Sequence, residues 1–215
     1  VAINTKDSTP VTIVMKTDGD ETATGTGSFL LAPLTLDRQV ELGNIHMGAY
    51  APYYSEAYSG PLGGRLDLQA SLAINPEQPL LVSGGMLKWR DAEMAFNEQE
   101  GITAALIDIS GLSFDLGKNR LEVDFVHYED GHASFSRSPQ GHWSFLSRNF
   151  PVLAKLTEAS GPEAAPETTQ QGPAFSYRIG EFAIRDWQLE FVDSLPSTPA
   201  RLEASRLHLT VNNLA

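Results

Sequence analysis

The chain contains no cysteine among its 215 residues. This absence excludes disulfide bonds, zinc sites built on thiolates, and thiol nucleophiles. Basic residues are also few: 15 Lys and Arg stand against 27 Asp and Glu, which gives a formal net charge of -12 at pH 7. An acidic chain argues against nucleic-acid binding, because that function needs clustered Lys and Arg.

Long apolar segments and enzyme motifs are missing as well. No apolar run approaches the ~20 residues that a membrane-spanning helix needs. The chain starts at Val1, with no basic segment before an apolar core, so no signal peptide is visible and we expect a piece of a longer protein. Neither a G-x-S-x-G elbow nor a P-loop occurs. The sequence therefore predicts a protein that is not an enzyme and needs no cofactor.

One segment of the chain occurs twice. Residues 85–116 align with residues 180–211 without a gap, at an offset of 95 residues. Internal repetition of this kind indicates supersecondary units that bury their apolar faces against one another. Identical pairs include Gly85/Gly180, Arg90/Arg185, Asp91/Asp186, Phe96/Phe191, Thr103/Thr198, Ala105/Ala200 and Leu112/Leu207.

A second pattern recurs four times: two apolar residues in alternation, a gap of two residues, and two more in alternation. An extra residue in a strand moves the later side chains to the other face. A β-bulge absorbs that residue and keeps one face apolar, and Gly43-Asn44 and Ser110-Gly111 suit a bulge. A tight turn at each break is the alternative. The four sets are Val40, Leu42, Ile45 and Met47; Ile107, Ile109, Leu112 and Phe114; Leu121, Val123, Val126 and Tyr128; and Leu202, Ala204, Leu207 and Leu209.

The remaining segments give a coarse layout. Residues 80–116 read as about three strands, Asp130-Gly131 as a hairpin turn, and residues 143–146 as a short strand. The four tyrosines within residues 49–59 indicate a short helix or an aromatic loop that closes one end of a sheet. Residues 149–157 form a helical pattern.

Three regions follow from this layout. Residues 1–157 form a first β unit, residues 158–173 form a flexible linker rich in Pro, Gly, Glu and Ala, and residues 174–215 start a second unit. We expect the second unit to be truncated and packed on the first. The sequence thus predicts a mainly β fold: a curved antiparallel sheet built from repeats and shaped as a groove, with one or two short helices.

Two groups of polar residues are candidates for chemistry. His127, Glu129 and His132 could hold a metal, but no further carboxylates converge on them, so we expect no metal site. The repeated pairs Arg90-Asp91 and Arg185-Asp186 could contact a charged ligand. We interpret them instead as structural, with Asp supporting a turn or bulge and Arg pairing across strands.

Four segments carry a family resemblance. They contain Pro33-Leu34-Thr35-Leu36, Pro52-Tyr53-Tyr54, Gly111-Leu112-Ser113-Phe114-Asp115-Leu116, and Arg137 before a turn. Together they resemble the AsmA-like family, in its bacterial branch of periplasmic repeat proteins classed as a domain of unknown function. Gln140-Gly141 departs from the usual Asp-Gly of that branch, and Arg38 stands where Gly is common.

The resemblance covers most of residues 25–148 and implies a location and a role. It implies a long protein of Gram-negative envelopes, anchored in the inner membrane and exposed to the periplasm. Its sheet would form an apolar groove for phospholipid or another acyl-chain ligand passing between the membranes. Neighbouring repeats of the chain and an outer-membrane or β-rich client are the other implied partners.

From the apolar pattern we predict the residues that line such a groove. The alternative is that they fill a closed core, and the sequence does not separate the two. A second functional hypothesis is a structural module that acts through open strand edges in outer-membrane assembly or envelope integrity, without binding lipid. The predicted lining residues are Val40, Leu42, Ile107, Ile109, Leu112, Phe114, Leu202, Leu207 and Leu209.

Overall fold

A computed structural model describes residues 9–31, 34–76, 78–147 and 175–215. These residues are mainly β, and the helical segments are short: a 3-10 turn at Met47–Tyr50, α1 at Ala51–Tyr54 and α2 at Ser144–Ser147. The nine strands are β1 Thr9–Lys16, β2 Thr22–Leu31, β3 Leu34–His46, β4 Leu62–Asn75, β5 Gln78–Ala95, β6 Gly101–Asp115, β7 Arg120–Arg137, β8 Ser176–Asp193 and β9 Ala200–Leu214.

All nine strands form one open sheet, in which they lie in the order of the chain. Seven neighbouring pairs are antiparallel, as predicted, but β7 and β8 are parallel, so the sheet is mixed. The prediction of a purely antiparallel sheet is therefore wrong at this one pair. Parallel neighbours need a crossover connection, and residues 138–175 supply the length that a tight turn lacks.

Strand pairing brings apolar residues together on one side of the sheet. Residues directly opposite each other in neighbouring strands share a face. Starting from Met15 in β1, the opposite residues are apolar in every strand, as far as Val211 in β9. This first row is Met15, Ala23, Leu42, Leu68, Leu87, Ile109, Val126, Phe182 and Val211.

The gaps in the apolar pattern lie inside continuous strands rather than at turns. Asn44, Gly111 and Arg206, each within one of three gaps where the register changes, have positive φ angles of 59°, 67° and 55°. At the remaining gap, between Val123 and Val126 of β7, the register with β6 does not change: Leu121 lies opposite Phe114, and Val126 lies opposite Ile109. The pattern thus keeps its apolar residues on one face across a break in phase, as the bulge interpretation predicts.

The repeated Asp residues have a backbone role. Asp91 and Asp186 both have left-handed backbone conformations, with φ of 49° and 53°. Asp is one of the few residue types that tolerate this region. Each lies where the pairing register with a neighbouring strand changes. Their interpretation as supports of bulges is confirmed.

Asp130-Gly131 is not a hairpin turn. Both residues lie within β7, which runs unbroken from Arg120 to Arg137. Asp130 is left-handed, with φ of 47°, like Asp91 and Asp186, but the register of β7 with its neighbours does not change there. Gly131 is required for a different reason: a Cβ atom there would lie 2.2 Å from Cε2 of Trp187. The glycine makes room for an indole ring, which a search for turn signals does not detect.

The structure tests three other local predictions, of which two are wrong and one is confirmed. Residues 80–116 contain two strands rather than three, and residues 143–146 begin with a single bridge from Trp143 to Arg137 and continue as α2. The short helix expected within residues 49–59 is present as α1. The predicted helix at 149–157 and the linker at 158–173 lie outside the described residues.

The two copies of the repeat form two hairpins, β5–β6 and β8–β9, whose registers differ. In the first, Ile107 lies opposite Trp89. In the second, Leu202, the counterpart of Ile107, lies opposite Phe191. Phe191 is seven positions beyond Ile184, the counterpart of Trp89. The second strand of the repeat has therefore moved by seven residues along its partner.

Candidate functional site: an apolar sheet face

A second apolar row runs beside the first. It crosses seven strands, from β3 to β9, and consists of Ile45, Leu66, Trp89, Ile107, Tyr128, Ile184 and Leu209. Side chains of both rows pack on one buried cluster, which contains Ile107, Trp187 and three alanines, so the rows share a face. We call this side of the sheet the apolar face.

The nine residues predicted to line a groove all belong to the apolar face. Val40 lies opposite Ala70, Leu112 opposite Gly85, Phe114 opposite Val82, and Leu202 opposite Phe191. Leu42, Ile109, Ile107 and Leu209 are members of the two rows, and Leu207 lies opposite Trp187. The pattern in the sequence therefore placed these residues together correctly. Whether they bind a ligand stays a prediction.

Small residues shape the middle of the apolar face. Ala92, Ala104 and Ala133 are buried there beside Trp187. The Trp187 ring meets the edge of Tyr128, at 5.9 Å between ring centroids. Its indole Nε1 is buried without a hydrogen-bond partner among the described residues. Small side chains under large rings allow dense packing within a single layer of strands.

One end of the apolar face is covered by aromatic side chains. Tyr58, Leu62 and Phe96 form a second buried cluster, on which Tyr54 and Phe145 pack. The Tyr58 hydroxyl donates to the Ala95 carbonyl at 2.6 Å, and burial raises the pKa of this phenol to about 12. The tyrosine segment thus closes one end of the sheet, as the sequence predicts.

The helical cover is tied to the sheet through Glu21. Its carboxylate accepts hydrogen bonds from the His46 backbone N–H at 2.9 Å, the Tyr50 hydroxyl at 2.9 Å and the Thr17 hydroxyl at 3.2 Å. These bonds, above all the one from His46, hold the pKa of Glu21 below its usual value. The 3-10 turn before α1 is therefore anchored to the β1–β2 turn.

The opposite face of the sheet is charged. Its side chains form ion pairs between neighbouring strands: Lys88 with Asp108 at 3.5 Å, Arg185 with Glu129 at 3.5 Å, and Arg201 with Glu190 at 2.7 Å. Such pairs on an exposed surface add little to stability individually. Their presence on one side distinguishes a solvated face from the apolar face.

The apolar face is most exposed at the two edges of the sheet. At the β1 edge, Met15 is 61% exposed, and at the β9 edge Leu202 and Leu209 are 54% and 48% exposed. In the middle, Ile107 is only 9% exposed. The first apolar row therefore continues to both edges instead of ending in polar residues, and the second row reaches the β9 edge.

Several members of the apolar face were not among the predicted lining residues. Trp89 and Trp187 are the largest of them. The same two-residue gap separates Leu87 and Trp89 from Ala92 and Met94, and Phe182 and Ile184 from Trp187 and Leu189. The signal was present in β5 and β8, but the polar Arg-Asp pair within each gap concealed it.

In the histidine group considered as a metal site, His127 and Glu129 lie on the charged face, where Glu129 pairs with Arg185. His127 donates from Nε2 to Glu181 at 2.7 Å, as part of the charged face. No group of three potential metal ligands occurs in the part of the chain that the structure describes. Within the same residues, no helix is long and apolar enough to cross a membrane.

Comparison of the chain with models of known families, with curated proteins and with solved structures finds no match. The resemblance to the AsmA-like family therefore stays a prediction.

Proposed function

We propose that this protein is a non-enzymatic module of the bacterial cell envelope, whose apolar face holds the acyl chains of phospholipids as they pass between the inner and outer membranes. One observation carries the proposal: an unbroken apolar row crosses all nine strands on one side of an open sheet. The AsmA-like resemblance adds the location, in the periplasm, as part of a longer protein anchored in the inner membrane.

The dimensions of the row suit a lipid tail. Nine strands spaced about 4.8 Å apart span about 38 Å. A tail reaches about 15 Å, half of the hydrocarbon core of a bilayer. A complete tail can thus lie along the row, with about 0.8 kcal/mol gained for each methylene that leaves water. No specific chemistry is needed, because the gain is proportional to the apolar area covered.

The difference between the two faces supports the same role. Acyl chains are excluded from the charged face, because its ion pairs would lose water without gaining new partners. Within the described residues, helical segments contact the apolar face only at one end, where Tyr54 and Phe145 pack. Among the described residues, the apolar face is exposed to a ligand mainly towards its two edges, at Met15, Leu202 and Leu209.

Adjacent residues of β1 provide a test. Met15 and Val14 are equally exposed, at 61%, but Met15 belongs to the apolar face and Val14 points to the other side. We expect Met15→Asp to lower the phospholipid that copurifies with the chain several-fold, and Val14→Asp to leave it unchanged. Native mass spectrometry and lipid extraction measure both. Neither substitution should unfold the chain, because both sites are exposed.

The β9 edge offers a second pair, Leu209→Asp with Thr210→Asp as its control. Wild-type protein that carries no lipid after expression in a Gram-negative host would contradict the proposal. Equal loss of lipid in Met15→Asp and Val14→Asp would do so too, because it would assign binding to general surface properties rather than to one face.

A second candidate function is a structural module that acts through strand edges in outer-membrane assembly. The observation that favours it is the open sheet: among the described strands, β1 and β9 each have one neighbour. This function requires no lipid, so the two proposals lead to different experiments.

A further inference from the structure

The outer edge of β9 carries the features of a binding site for another strand. β9 is 15 residues long and pairs with β8. No strand of the described residues lies along its other side. Leu202, Leu207 and Leu209 are exposed there. A long edge strand with free backbone groups and exposed apolar side chains is a template for strand addition.

The repeat identifies the kind of strand that would fit. β6 is the counterpart of β9, and its outer edge is occupied by β7 in an antiparallel arrangement. There Phe114 lies opposite Leu121, and Ile109 lies opposite Val126. Ile107 is 9% exposed beneath this neighbour, whereas its counterpart Leu202 is 54% exposed. The outer edge of β9 thus has the apolar pattern of an occupied edge, and none of the described strands occupies it.

Charge adds a second indication. At the gap in the β6 pattern, Asp124 of β7 packs so closely on Gly111 that a Cβ atom on the glycine would lie 2.0 Å from the Asp124 carboxylate. β9 has Arg206 at the counterpart of Gly111, and Arg206 is exposed. The Cβ atom of Arg206 keeps an opposing carboxylate away from the β9 backbone, so that the carboxylate contacts the Arg206 guanidinium instead.

We infer that the outer edge of β9 binds an antiparallel β-strand from outside the described residues with the pattern of β7: two pairs of alternating apolar residues, separated by a gap of two residues that contains an acid. In the complex, Leu209 lies opposite the counterpart of Leu121, and Leu202 opposite the counterpart of Tyr128. The acid lies beside Arg206. This inference supplies the partner for the second candidate function and does not depend on lipid binding.

A peptide of residues 119–129, NRLEVDFVHYE, is the probe. It carries the full β7 pattern, with Asp124 in the gap. We expect the fluorescently labelled peptide to bind the 215-residue chain saturably, at one site. Arg206→Asp should weaken binding about three- to tenfold, because it replaces an attractive pair with a repulsive one. A peptide with Asp124→Arg should restore binding to the Arg206→Asp protein.

Lys16→Asp is the matched control, since it makes the same change of charge on β1, at the other edge of the sheet. We expect it to leave peptide binding unchanged. Two further peptides, methylated at alternate sets of backbone nitrogens, test the pairing itself. Because a strand directs alternate N–H groups to each neighbour, one peptide should bind and the other should not.

Three results would overturn the inference: no saturable binding of the peptide; equal weakening by Arg206→Asp and Lys16→Asp; or a β9-mediated dimer of the chain that excludes the peptide. None of these results concerns lipid, so failure here leaves the proposal for the apolar face standing. Conversely, a protein that never binds lipid can still bind the strand.

Discussion

The two hairpins β5–β6 and β8–β9 repeat a sequence but not a pairing. In both, a bulge on one strand is offset by a bulge on the other, so that the apolar residues on both sides stay on one face. At these two offsetting bulges, the left-handed residues of the first hairpin are Gly84 and Gly111. In the second they are Asp186 and Arg206. Arg206 is the counterpart of Gly111, but Asp186 is not the counterpart of Gly84.

The difference has a steric cause in β8. The counterpart of Gly84 is Ile179, and a β-branched residue strongly resists the left-handed conformation. β8 therefore has no bulge at Ile179 that could offset the bulge at Arg206 in β9. The next left-handed residue along β8 is Asp186, the counterpart of Asp91. Asp91 lies seven residues after Gly84, which is the distance by which β9 has moved.

Proline supplies a second cause. β6 begins at Gly101 and contains Ala104, whereas the counterparts of these residues in the second hairpin are Pro196 and Pro199. Proline has no N–H for a ladder, so it is disfavoured within a strand. β9 accordingly begins at Ala200, directly after Pro199. The repeat thus preserves the side of the sheet to which the apolar residues of each strand point, while bulges and prolines set the register between neighbouring strands.

The largest expected effect is a difference in stability between a residue covered by a neighbouring strand and its counterpart in the edge strand β9. Ile107→Ala should lower the free energy of unfolding by about 2 to 5 kcal/mol, because it leaves a cavity in a packed cluster. Its counterpart substitution Leu202→Ala should stay within about 0.5 kcal/mol, because Leu202 is exposed. Urea unfolding of both variants measures the difference. Similar losses would mean that the second hairpin is covered as fully as the first.

The next effect concerns the register itself. Because the chain contains no cysteine, engineered pairs of cysteines report the register of β9 on β8 without other disulfides. We expect a disulfide between Ile184→Cys and Leu209→Cys, which lie opposite each other, and none between Ile184→Cys and Leu202→Cys. Installing the residues of the first hairpin, with Ile179→Gly, Pro196→Gly and Pro199→Ala, should allow the second disulfide to form.

Ile179→Gly without the proline changes is the control for this experiment. It should keep the present register, because Pro196 and Pro199 still block the extension of β9. A second disulfide that forms in the unchanged background would refute the explanation, since β9 would then slide freely. Mass spectrometry after mild oxidation reads out both disulfides.

The smallest effect is a dependence on pH. At the end of β8, Arg137 of β7 binds the Asp193 carboxylate, with Nε and Oδ1 2.9 Å apart, and this hydrogen bond holds the pKa of Asp193 below its usual value. A lowered pKa in the folded state contributes stability above the unfolded value of about 3.9 and loses it as pH falls through the folded value. Asp193→Asn should therefore flatten the acid limb of the stability curve.

Glu98 is the counterpart of Asp193 in the first hairpin and lies exposed in the β5–β6 loop. Glu98→Gln serves as the control, and chemical unfolding between pH 3 and 6 compares the two variants. If Asp193→Asn and Glu98→Gln changed the acid limb of the stability curve equally, the ion pair of Arg137 with Asp193 would not be the cause of the acid sensitivity.

Local patterns in the sequence were sufficient for much of the fold. Strand character, the apolar face and the bulge interpretation at Asn44, Gly111 and Arg206 depend on alternation and on backbone conformation within a few residues. The same local logic identified Asp91 and Asp186 as structural. All nine predicted lining residues share one face for this reason, since each belongs to a pattern that can be read along a single strand.

Pairing between distant strands was beyond these patterns. Asp130-Gly131 has the composition of a hairpin turn, and only the Trp187 ring, 56 residues later in the chain, explains the glycine. The parallel contact of β7 with β8 depends on a crossover whose end points no local signal marks. Trp89 and Trp187 could be assigned to the apolar face only from strand pairing, which places them beside Ile107 and Tyr128.

By itself, therefore, the sequence determined a mainly β chain with one apolar face kept in phase by bulges, because these properties are set by neighbours along a strand. Only tertiary contacts fixed that the strands form one open mixed sheet, that β9 is shifted by seven residues relative to the repeat, and that no strand of the described residues covers its outer edge. The reason is physical: register and strand order arise from contacts between residues far apart in the chain, where bulges and prolines on one strand must be matched by the conformation of another.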